Sequence, residues 1–141
     1  MSTSDLPEGL YPSHDHENVW VSARRGPDVG PYPKPTERGG KWMLFVPVEE
    51  LDAMWQKIAR AVEEGRLGYS AKCATAVPNP RAWNDREKVI CVYTYDGNDE
   101  ADRNRVREEL RRLGVREQIS WKADKATQAG RYGPGSAQYR A

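Results

Sequence analysis

The stretch Trp121 to Tyr132, WKADKATQAGRY, gathers Lys122, Asp124, Lys125, Thr127, Arg131 and Tyr132 in one short run. It reads as a strand end leading into a glycine loop, a place where backbone N–H groups and cations converge on an anion. Lys122 follows the apolar Trp121, so one face of that strand suits a core and the other a site. A solvated surface loop with idle charges accounts for the same spacing.

Two more lysines stand where strands are expected. Lys41 opens the apolar run KWMLFVP, and Lys72 sits inside YSAKCATA. Lysine is almost never fully buried without a partner. Lys72 therefore admits three readings: an anion-binding side chain facing a pocket, a desolvated general base, or a guard on an exposed sheet edge. The chain also holds five tryptophans and seven tyrosines against one phenylalanine. Such rings have apolar faces and polar handles and suit a pocket that stacks a planar ligand. Trp83, in the polar loop NPRAWNDRE, is the candidate platform; the alternative is a loop anchor. Trp55 falls on a helical apolar stripe and reads as core. His14, Asp15 and His16 lack the further ligands of a metal site and read as solvated, so no metal is expected. The chain has no Walker loop, no GxGxxG and no CxxC, and no cofactor is expected.

These residues need a frame. Asn18–Arg24 reads as a strand with Val19 and Val21 on one face and Trp20 on the other. Residues 25–40 are rich in proline and glycine, which precludes a helix or a central strand. Lys41–Pro47 reads as a central strand. Val48–Glu64 reads as a helix whose Leu51, Met54, Trp55, Ile58, Ala61 and Val62 form one apolar stripe, with Gly65 beyond its end. Tyr69–Ala76 and Lys88–Tyr95 are β-prone. Ala101–Leu113 reads as a second helix with Val106, Leu110 and Leu113 inward. Its five arginines (Arg103, Arg105, Arg107, Arg111, Arg112) point largely outward as a salt-bridged solvent face. Gln118–Lys122 is the last strand. The expected architecture is α+β, with five mainly antiparallel strands backed by two helices. A flexible tail over 1–17, one domain over 18–132 and a second flexible tail over 133–141 complete it.

Composition limits the function classes. At 141 residues the chain makes one domain, and such a domain buries roughly 70% of its unfolded surface. The formal net charge of +1 excludes a polybasic nucleic-acid binder but not a local basic pocket. No apolar run approaches the roughly 18 residues that span a bilayer, and MSTSDLPEGL has no basic start or apolar stretch, so neither a membrane span nor a secretory leader is expected. Cys73 and Cys91 read as reduced and buried, with a cross-strand disulfide as the alternative. A cytoplasmic protein is the expectation.

The segments GKWMLFV (40–46), YSAKCAT (69–75), VICVYTYD (89–96), LRRLG (110–114) and SWKADKATQAGRY (120–132), with the helix carrying Trp55, resemble the basophilic-leukemia-expressed protein family. Its bacterial members are often labelled phosphothreonine lyase domain proteins. The family's fold is similar to that of the cap-binding translation initiation factor 4E. The resemblance implies a curved antiparallel sheet with a concave face. The lyase label implies β-elimination of phosphate from a phosphorylated residue, with Lys72 as base and Lys41, Lys122 and Arg131 on the phosphate. Bacterial effector lyases carry Lys–x–His on a strand, with the histidine as acid; here Lys41–Trp42–Met43 stands, and Tyr132 or Lys122 would supply the proton. The factor 4E likeness implies instead a non-catalytic module for a nucleotide, an RNA end or a phosphopeptide, with Trp83 as a stacking wall. In either case the ligand is phosphorylated. The residues expected around it are Lys41, Lys72, Trp83, Lys122, Asp124, Thr127, Arg131 and Tyr132.

Overall fold

The computed structural model describes residues 7–78, 86–125 and 138–141. In chain order the elements are β1 (Trp20–Arg24), β2 (Gly40–Pro47), α1 (Val48–Glu63), β3 (Ser70–Ala74), β4 (Glu87–Thr94), α2 (Glu100–Arg112), β5 (Ser120–Ala123) and β6 (Tyr139–Arg140). The strands form one curved, open sheet in the order β1-β3-β4-β2-β5-β6, with every neighbouring pair antiparallel. The architecture is α+β, as expected.

Local chemistry explains the helices. Pro47 ends β2 and stands at the N-cap of α1, whose first turn carries Glu49 and Glu50, where negative charge suits the helix dipole. Asp99 caps α2 by accepting from the Asp102 N–H at 3.0 Å. Both helices end in glycines of positive φ, Gly65 at 79° and Gly114 at 109°, a backbone conformation that costs glycine little.

Strand alternation sorts the sheet into two faces. Val21, Cys73, Ile90, Val92, Trp42, Leu44 and Trp121 point to one side and join Leu51, Trp55, Ile58 and Val62 of α1 and Val106 and Leu110 of α2 in a single core. Trp42, Trp55 and Trp121 are fully buried. Each indole N–H donates to a partner: Arg103 O at 3.1 Å, Gly9 O at 2.7 Å and Thr94 Oγ1 at 3.1 Å, respectively. Truncating any of them would cost about 3–5 kcal/mol. The opposite face carries Trp20, Lys72, Cys91, Tyr93, Lys41, Met43, Phe45 and Lys122.

Several expectations change. The sheet has six strands, not five, because Tyr139 and Arg140 pair with Trp121 and Ser120. The last four residues are thus strand and strand end rather than tail: Ala141 and Ile119 exchange backbone bonds at 2.9 and 3.1 Å. Residues 7–17 are seated on α1. Ser13 donates its N–H and hydroxyl to the Asp52 carboxylate at 2.9 and 2.5 Å, and Pro12 is buried. Two of the five helix arginines face inward. Arg103 stacks on the Tyr139 ring at 3.5 Å and donates to Gly97 O. Arg107 is 1% exposed and donates to Ala141 O, Val115 O and Glu117 O at 3.0, 2.9 and 2.7 Å. Burial holds its guanidinium below the usual arginine range. The other three do form surface ion pairs: Arg105 with Asp102, Arg111 with Glu108 and Arg112 with Glu109.

The sheet order removes two further alternatives. β3 lies between β1 and β4, so Lys72 does not guard an edge. Cys73 pairs with Ile90 while Lys72 pairs with Cys91, so the two sulfurs leave opposite faces of the sheet and both cysteines are free. Among the described residues, no helix is long and apolar enough to cross a membrane.

Candidate functional site

β2 is the axis of the face opposite the helices. It runs between β4 and β5, and the register sets Lys41 opposite Tyr93 on one side and Lys122 on the other. Lys41 is 6% exposed and Lys122 4%. The Lys41 ammonium donates to Asp124 Oδ1 at 3.0 Å. Asp124 follows the end of β5, and its own N–H donates to Gly39 O at 2.9 Å, which ties the two strand ends together. Two lysines and a carboxylate from sequence-distant segments therefore meet through backbone register, not through loop placement.

A wall of phenols adjoins them. Tyr93 and Tyr69 lie 5.8 Å apart, Tyr69 and Tyr32 6.3 Å, and Tyr32 and Tyr95 5.6 Å, the last pair edge to face. Burial, helped by the Asp124 charge, pushes the Tyr69 phenol up to about 12. Burial raises Tyr93 further, with Cys91 and Asp124 adding to it. Both phenols stay neutral donors across the ordinary pH range. Tyr32 is brought in by the segment 25–40, which the structure shows docked. Its hydroxyl donates to Asp102 Oδ2 at 2.5 Å and accepts from the Tyr95 N–H at 3.3 Å, while Arg25 lies 5.5 Å from its ring. Thr36 and Arg38 pin the far end of the segment to Asp96. The Arg38 bond holds the Asp96 carboxyl below the usual carboxylate range.

Lys72 is two strands from Lys41, with Cys91 between them on β4. Its Nζ stands 3.9 Å from the Trp20 ring centroid, a cation–π contact. Cys91 is buried, which pushes its thiol up to about 11, with Lys72 and Lys41 acting in the opposite direction. Met43, on β2, is its direct register partner.

Of the expected site residues, Lys41, Lys122 and Asp124 come together, and Lys72 shares their face. Trp83, Thr127, Arg131 and Tyr132 lie outside the described residues. Sequence reasoning missed Tyr69, Tyr93 and Trp20. For Tyr93 and Trp20 the signal was present: each stands one position from a core residue of its strand, Val92 and Val21, and so takes the opposite face. Tyr69 precedes β3, on the parity of Ala71 and Cys73, and alternation does not announce it. The assembled groups can hold an anion between ammonium groups, donate from neutral phenols and offer ring faces to a planar group.

Comparisons with known proteins bear on this geometry. The family model described as "Basophilic leukemia-expressed protein Bles03" matches residues 36–129. Three solved structures share the fold. The C. elegans eIF4E-3 in complex with the 4E-binding protein Mextli and a cap analog aligns with TM-score 0.56 at 19% identity, covering 74% of this chain and 57% of that one. Schistosome eIF4E complexed with m7GpppA and 4E-BP aligns with TM-score 0.58 at 16% identity, covering 74% and 60%. Ascaris suum eIF4E-3 with an m2,2,7G cap aligns with TM-score 0.53 at 16% identity, covering 73% and 57%. The chain spans less than two thirds of each of these proteins.

Proposed function

The chain belongs to the basophilic leukemia-expressed protein Bles03 family, and from that premise we propose that it is a non-catalytic binding module for a phosphorylated, nucleotide-like ligand. One observation carries the reading: Lys41 and Lys122 are register neighbours on β2 and β5, both buried, beside Tyr93 on the sheet face opposite the helices, with the Tyr69 ring 5.8 Å from that of Tyr93. Phosphate oxygens suit the two ammonium groups, and the ring faces of Tyr93 and Tyr69 suit a planar base. Asp124 orients Lys41 and accepts a hydrogen bond. Of the residues outside the description, Arg131, Thr127 and Tyr132 follow Asp124 in sequence and are proposed to close the phosphate end, with Trp83 as a further stacking wall. The solved proteins of this fold, which hold cap compounds, support a nucleotide over other phosphorylated ligands.

Binding is preferred to β-elimination on two grounds. A base must reach the Cα proton, whereas the Lys72 side chain is laid against the Trp20 ring, its Nζ 3.9 Å from the centroid. The position after Lys41–Trp42, where the effector lyases place a histidine, holds Met43, which cannot donate a proton.

A thermal-shift panel tests the reading with inorganic phosphate, a nucleoside triphosphate, a methylated cap analogue and a phosphothreonine peptide. A ligand at 100 times its Kd stabilises by about 2.7 kcal/mol. The expected result is a shift with a nucleotide that disappears in Lys122→Met. No shift with any compound would refute the module. A phosphothreonine peptide recovered without its phosphoric acid would show catalysis and overturn the non-catalytic reading.

A further inference from the structure

The face opposite the helices changes character along its strands. Lys41 and Lys122 lie at one end. Four residues further along β2 stands Phe45, about 13 Å away at ~3.3 Å per residue and, by the same alternation, on the same face. Phe45 is the chain's one phenylalanine and is 50% exposed. It sits opposite Val89 in register on β4. Between the lysines and Phe45, one transverse row of register partners crosses all six strands: Ser22, Lys72, Cys91, Met43, Ser120 and Arg140. That row brings a cation on β3 and another on β6. The surface therefore runs from buried ammonium groups, past a band with charges at its flanks, to a half-exposed aromatic ring.

A nucleoside monophosphate is too short to occupy both the lysine pair and Phe45. We propose, resting on the nucleotide-binding reading above, that the site continues down β2 and takes a short single strand of nucleic acid, two to three nucleotides long by the strand distance. Its 5′ phosphate would lie on Lys41 and Lys122, and a later base would stack on Phe45. Three observations favour this occupant over a protein segment. The exposed ring continues a cationic site on one sheet face. Aromatic side chains on such a face stack bases with little regard to sequence. The flanking Lys72 and Arg140 complement a backbone phosphate, whereas an apolar peptide would gain nothing from them.

The test measures binding of 5′-phosphorylated oligoribonucleotides of one to four nucleotides to the full chain by calorimetry. Affinity should rise at least about fivefold from the mononucleotide to the di- or trinucleotide, the least that one stacked base supplies, and then level off. Phe45→Ala should remove the gain and leave mononucleotide binding intact, which also shows that the variant is folded. Phe45→Tyr should restore it. Affinity that is independent of length, or a gain that survives Phe45→Ala, would overturn the extension while leaving the nucleotide site standing. Failure of the mononucleotide and of every longer strand would overturn both readings.

Discussion

Replacing Arg107 with methionine sets two large effects of opposite sign against each other. Arg107 is buried and donates to three backbone carbonyls, two in the turn after α2 (Val115 and Glu117) and one beyond β6 (Ala141). Removing a dehydrated guanidinium returns its desolvation cost, which for a buried charge reaches several kcal/mol. Removing it also takes the donor from the Val115 and Glu117 carbonyls, at about 1–3 kcal/mol each where water cannot replace it, while Ala141 O keeps the Ile119 N–H. Methionine keeps most of the apolar stem, so cavity cost is small. Because the guanidinium directs its bonds at three carbonyls and lies on the Coulomb-favourable side of each dipole, the carbonyl losses dominate. The expected net destabilisation is about 3 kcal/mol, a third or so of the stability of an ordinary domain, and roughly 10 °C in Tm at this size. Equilibrium urea unfolding gives the number, and native-state amide exchange gives its location. Protection should fall first at Ile119 and Ala141, whose N–H groups bond each other's carbonyls. Unchanged or increased stability in Arg107→Met would refute the reasoning and mark the arginine as a buried charge whose desolvation outweighs its bonds.

Other outcomes follow from the same geometry. Asp96 has its carboxyl held low by Arg38, Asn98 and Thr36; a depressed native value stabilises above the unfolded value of 3.8 and loses that contribution as pH falls through the native value. Asp96→Asn should therefore lower Tm at pH 7, and melts taken down to pH 2 should show the gap to the wild type closing. Cys73 and Cys91 are buried with raised thiols, so neither should react with a thiol reagent at pH 8 until denaturant is added, as an absorbance titration of free thiol will show. A Cβ on Gly40 would stand 2.5 Å from both the Trp121 ring and Lys122 O, so Gly40→Ala should destabilise by more than about 2 kcal/mol in urea and weaken ligand binding together. A loss of binding with native stability would show that β2 and β5 can shift apart without cost.

Much of this frame was legible because the apolar pattern was strong. The stripe of Leu51, Trp55, Ile58 and Val62 placed α1 to within a residue, and KWMLFVP marked the strand at the centre of the site. β6 was not legible, since Tyr139 and Arg140 carry no periodicity and exist as a strand only through β5. The inward turn of Arg103 and Arg107 was missed because charge pattern alone does not reveal orphan carbonyls across a helix. Lys41, Lys122 and Asp124 were legible as types at strand ends. Their meeting was not, because register between distant strands is a property of the folded sheet. Tyr93 shows the same limit: alternation puts it on the face opposite Val92, and only the packing of both helices tells which face is which, while Tyr69 precedes β3 and escapes the alternation altogether.

The order β1-β3-β4-β2-β5-β6 also governs how this protein acquires its binding competence in time. Lys41 meets Asp124 across 83 positions of sequence, and β2 finds β4 only after an intervening helix and strand have been passed. Closing such distant pairings ahead of any reward slows folding toward the millisecond-to-second range of topologies rich in non-local contacts. Helix α1 can form early from its own stripe, but the anion-holding lysines come together only when the central strands zip. A refolding chain should regain helicity before it regains ligand, so the ligand itself becomes a clock for the last step.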